Sequence, residues 1–144
     1  MIFLETFAEF LFKLIAKKNL TIPEVYHKAE LNRKTFSEFL FKLIAKKNLT
    51  IPEVYHKAEL NRKIFSDIRN KKNYLPRRET IIKIIFALEL SIDDAQKLLK
   101  KAGYTFSDSN EFDLTVEKFI REKNFNQFEV DEELAKKNLP CLFS

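Results

Sequence analysis

LTIPEVYHKAELNRKIFSDIRNKKNYLPRRETIIKIIFALELSIDDAQKLL, residues 49–99, holds a run of short helices with one very tight break. Thr50 is placed to cap a helix over 51–58, with Glu53 three residues on to complete a capping box and Leu49 and Val54 as a hydrophobic staple. Pro52 is tolerated there, because first-turn amides have no intrahelical acceptor. AELN, 58–61, ends that helix, and Asn61 caps the next, RKIFSDIRNKK, whose inward face is Ile64, Phe65 and Ile68. A loop, NYLP, leads to RRETIIKIIFALEL, with Ile81, Ile84, Ile85 and Leu88 inward. Ser91 caps IDDAQKLLKKA, and Asp93 and Asp94 suit its positive first turn. Gly103, the only glycine, follows where a left-handed residue is wanted.

Upstream, Phe36, Phe39, Leu40, Leu43 and Ile44 recur at helical spacing. Lys46, Lys47 and Asn48 suit the end of that helix. Downstream, a polar SDSNE leads to two more predicted helices, FDLTVEKFIREKN and QFEVDEELAKKN. LPCLF is expected to tuck back onto the body.

The order of these helices, with matches at Leu49-Thr50, Ala58, Leu60, Arg62, Ser66, Ile68, Pro76, Glu79-Thr80, Leu88, Ser91 and Leu98-Leu99, resembles the lambda-repressor-like, Xre-type helix-turn-helix DNA-binding domain. The resemblance covers about residues 36–104. It implies an all-α bundle that sets the first turn of its third helix, about 61–72, in the major groove of double-stranded DNA. Asn61, Arg62, Lys63 and Ser66 would then read bases, while Lys71, Lys72, Arg77 and Arg78 lie near phosphates and Arg69 adds to the same basic face. The expected function is a bacterial or phage transcriptional regulator. Three positions depart from the family pattern: Glu59 at the turn position usually held by Gly, Tyr55 where a small residue is usual, and Ile51 where a Gln often touches DNA. They favour the alternative, a protein-interaction adaptor that keeps the fold without specific DNA binding.

EFLFKLIAKKNLTIPEVYHKAELNRK occurs twice, at 9–34 and 38–63, without one difference. No physical demand imposes identity on exposed Lys and Glu, so the repeat reads as a recent or engineered duplication inside a single-copy domain rather than as a solenoid. The expected layout is a duplicated helix-pair segment over 1–35, the helix-turn-helix domain over 36–104, and a helical extension over 105–144 packed on it. The second copy joins the following helices directly, so it should complete the motif and leave the first copy over. Residues 32–47 keep one apolar spacing and are predicted to form one continuous helix. The leftover stripe of Phe7, Phe10, Leu11, Leu14 and Ile15 needs a partner, expected to be a second copy in a homodimer, either symmetric or swapped through residues 1–47.

Residues 1–104 carry 21 Lys/Arg against 12 Asp/Glu, and residues 105–144 carry five against nine. The basic part therefore suits an anionic partner and the acidic tail does not. One cysteine, Cys141, excludes an internal disulfide framework and fits a reducing cytoplasm. The apolar start is interrupted by Glu5, Glu9 and Lys13 and is too short and charged for a membrane span. His27 and His56 lack ligand-spaced neighbours, so no metal is expected, and nothing suggests a cofactor. With a single glycine there is no phosphate-cradling loop, no nucleophile motif appears, and an enzyme is not expected.

Overall fold

Eight helices and no strand are found among the described residues. They are α1 Phe7–Lys17, α2 Ile22–Lys46, α3 Ile51–Lys57, α4 Arg62–Asn70, α5 Arg78–Leu88, α6 Ile92–Lys101, α7 Glu111–Arg121 and α8 Gln127–Lys136. The structure is a computed structural model that describes the backbone of residues 6–18, 22–71 and 74–143, and the side chains of these except 22–32.

Local chemistry sets most boundaries. Thr6, Thr50, Asn61, Ser91, Asn110 and Asn126 each accept a hydrogen bond from a first-turn amide of the helix they precede. The far ends follow one pattern. Asn48, Glu59, Glu89, Gly103, Lys123 and Asn138 all have positive φ, between 51° and 84°. The residue after each donates its amide to a carbonyl five positions back: Leu49 to Ile44, Leu60 to Tyr55, Leu90 to Ile85, Tyr104 to Leu99, Asn124 to Phe119 and Leu139 to Leu134. This is the Schellman closure, in which a left-handed residue lets the chain reverse and the next side chain packs back on the helix. Leucine fills that position four times.

α5 is the axis of the core. Ile81, Ile82, Ile84, Ile85, Phe86, Ala87 and Leu88 are all buried, and a helix buried on every side is apolar all round. Phe36, Leu40, Leu43 and Ile44 of α2, Val54 and Ala58 around α3, and Phe65 and Ile68 of α4 join it, with Ala95, Leu98 and Leu99 of α6. α7 and α8 close the core with Val116, Ile120, Val130 and Leu134, and Leu142 returns from the chain end to seal it. Phe86 meets Phe125 and Phe143 edge-on, with ring centres 5.8 Å apart in both pairs.

The repeated string does not repeat its backbone. In the second copy, residues 51–63 form α3, a turn at Glu59 with φ 54°, and the start of α4. In the first copy, residues 22–34 run straight through as part of α2. The continuous helix expected over 32–47 is present, and it starts ten residues earlier than its apolar spacing indicates. The expected second helix of a duplicated pair is thus merged into α2. The second-copy turn is held by burial of Val54 and Ala58 at 0% exposure. Only one α5–α6 body exists to bury such a turn, and without it local helix propensity and continuity prevail.

Candidate nucleic-acid interface

Asn61 sits at the turn in extended backbone, and its Oδ1 accepts from the Lys63 amide at 2.8 Å, which starts α4. α4 then turns Phe65 and Ile68 inward, at 3% and 1% exposure. The opposite face carries Arg62, Lys63, Ser66, Arg69 and Asn70, all exposed. Between this face and α3 lies an open groove of about 370 Å³ lined by Ile51, Pro52, Tyr55, Arg62, Phe65, Ser66, Arg69 and Asn70. Tyr55 is half-buried along it, with its ring 6.3 Å from Phe65 and 4.7 Å from His56, so it packs at the rim.

The expected site residues do not all lie on one surface. Arg62, Lys63, Ser66 and Arg69 share the outer face of one helix. Ser66 Oγ lies 3.4 Å from the Asn70 Nδ2 that donates to it, and the Arg69 guanidinium stands 4.8 Å from the centre of the Phe41 ring, which fixes its direction. Asn61 belongs to the same end of α4, but its oxygen is engaged by the cap and its amide nitrogen is the half left to face a ligand. Lys71 lies one residue beyond α4 in extended backbone and pairs with Asp67 at 3.4 Å, while remaining 58% exposed. The helix predicted to reach residue 72 therefore ends at Asn70. Lys72 lies outside the described residues. Arg77 precedes α5 and is exposed.

Arg78 corrects the expectation. It is expected near phosphate, and its Nη1 donates to Asp113 Oδ2 at 2.8 Å, with Asp113 2% exposed on α7. The Ser107 amide donates to the same oxygen at 2.7 Å. A buried carboxylate requires such partners, so this arginine joins the extension to α5. Tyr74 stands on the basic side, where burial pushes its phenol up, the Asp67 carboxylate adds to the rise and Arg77 opposes it. It therefore remains a neutral hydroxyl donor in that surface.

Asn70 and the apolar wall of Ile51 and Pro52 were not among the expected site residues. The signal for Asn70 was available: positions 62, 66, 69 and 70 follow the helical period on one face. Among the described residues no cluster of three metal-ligating side chains exists, and no helix is long and apolar enough to cross a membrane.

Comparison with curated proteins and with solved structures gives no match. A family model does match, and it covers residues 39–101, from within α2 to the end of α6, and includes the α3–turn–α4 unit with its basic face. That segment is a Cro/C1-type HTH DNA-binding domain.

Proposed function

We propose that this chain is a bacterial or phage transcriptional regulator that binds double-stranded DNA through α4 and works as a cytoplasmic homodimer. One observation carries the reading: the family match includes a helix, α4, whose outward face is basic and exposed from Arg62 to Asn70. On this reading Arg62, Lys63 and Ser66 face base edges, with the Asn61 amide beside them. Arg69, Lys71, Lys72 and Arg77 contact phosphates and set the register. The role is binding, without catalysis, metal or cofactor.

A salt titration against a pool of DNA duplexes tests it. Affinity should fall linearly on logarithmic axes, with a slope of about 0.9 per phosphate neutralised. Arg62→Ala should relax discrimination at one base pair by about 1–3 kcal/mol, whereas Lys71→Ala should weaken all duplexes alike and lower the slope by about 1. The adaptor reading draws on the apolar wall of Ile51, Pro52 and Tyr55 in the groove, which suits a protein side chain better than a phosphate. Absence of binding to any duplex at low salt would decide for the adaptor.

A further inference from the structure

We propose that α1 pairs antiparallel with α1 of a second copy of this chain across a two-fold axis, an inference that specifies the interface of the homodimer proposed above. α1 buries none of its residues in its own chain, yet it is a well-formed helix: the Thr6 hydroxyl accepts from the Glu9 amide and the Glu9 carboxylate accepts from the Thr6 amide. Phe7, Phe10 and Leu14 are 81%, 53% and 40% exposed at a spacing that puts them on one side. Their counterparts 29 residues on are Phe36, Phe39 and Leu43, of which Phe36 and Leu43 are 0% and 4% exposed and Phe39 is half-buried. α1 thus shows to solvent a face whose identical counterpart is domain core.

Counting decides what covers it. Each chain holds two copies of the stretch and one α5–α6 body, and the second copy already fills that body. Exchange between two chains still leaves two copies without a body, so a swap covers nothing that was bare. Pairing of the spare helices does cover it, and a self-complementary patch closes with two-fold symmetry. Charge sets the direction. Glu9 lies in the first turn, and Lys17 with the cap residue Lys18 lies at the end. Parallel pairing would set the basic ends together, while antiparallel pairing sets acidic start beside basic end and opposes the helix dipoles. With Phe7, Phe10 and Leu14 81%, 53% and 40% exposed, three side chains from each helix leave on the order of 700 Å² to bury, the size of a weak interface. The dimer should therefore dissociate in the micromolar range.

Sedimentation of the full chain against concentration is the test, beside Phe10→Glu, Leu14→Glu and a deletion of residues 6–34. The full chain should be dimeric at high micromolar concentration, and all three variants monomeric with the domain's melting transition retained. A full chain that stays monomeric overturns the homodimer itself. Variants that stay dimeric leave the homodimer standing and overturn α1 as its interface. In a Cys141→Ser background, Phe10→Cys lies near the axis and should form an interchain disulfide under oxidation. Phe7→Cys alone should not, since it faces Leu14 of the other helix, about 10 Å along from its own counterpart. A Phe7→Cys disulfide overturns the antiparallel direction.

Discussion

Glu59 holds the turn between α3 and α4 at φ 54° with a side chain that this region disfavours. The Leu60 amide, 2.8 Å from the Tyr55 carbonyl, and the buried Ala58 beside it fix the conformation from both sides. Removing the Cβ should release about 1 kcal/mol of strain, so Glu59→Gly is expected to raise the melting temperature by several degrees. A thermal melt that moves down instead would show that the Glu59 side chain stabilises the turn by another route. Arg78 calls for the opposite expectation. Arg78→Met removes the charge partner of a carboxylate that is 2% exposed and should cost about 2–4 kcal/mol in denaturant unfolding. Because its guanidinium points to Asp113, the variant's DNA salt slope should match that of the unmodified chain. A slope shallower by about 1 would return Arg78 to the phosphates.

The same thirteen letters, IPEVYHKAELNRK, lie wholly within α2 and again across α3, the turn and the start of α4, in two backbones. Glu30 lies inside α2, while Glu59 closes α3. The same substitution should therefore act with opposite sign at the two places. Glu30→Gly puts the least helix-favouring residue but proline into a helix interior and should lose about 1 kcal/mol of helix stability, seen as reduced ellipticity at 222 nm, whereas Glu59→Gly should gain. If both substitutions lower helicity, the two copies share one backbone and the difference between α2 and α3 fails. Strings such as NL, EL and GY after an apolar stripe mark the Schellman ends, so helix order and most boundaries can be read from sequence alone. The outward basic face of α4 can be read the same way, because Arg62, Ser66 and Arg69 repeat at the helical period. Two features cannot. Residues 22–34 carry every local sign of a turn, and only the missing body decides against it. Arg77 and Arg78 are neighbours of the same type, and the choice between them rests on Asp113, 35 residues further along the chain.

The whole molecule joins a basic DNA-binding domain to an acidic extension, and the contacts between them indicate what the extension does. Asp113 takes Arg78 at the start of α5. Phe125 and Phe143 flank Phe86 in the last turn of α5. The Gln127 side chain donates to the Lys57 carbonyl at the end of α3, directly beside the α3–α4 turn. The Asp131 carboxylate accepts the amides of Leu142 and Phe143, so the chain end that seals the core is itself held from α8. These contacts reach α5 and the end of α3, and the extension also lines a groove with Glu59 of the α3–α4 turn, while none of these contacts falls on Arg62 or Ser66. The extension thus covers part of the core, and its negative charge is expected to act on bound DNA through the screened field of the molecule. Truncation at Asp108 should expose Phe86, at about 2 kcal/mol for that side chain alone, and leave Arg78 without its carboxylate. The truncated protein should melt at clearly lower temperature. Well below that melt, its DNA affinity should exceed that of the full chain at low salt, and the gap should close as salt screens the lost charges. An extension that shields α4 directly gives the opposite pair of results: an unchanged melt, and a tighter complex whose advantage persists at high salt.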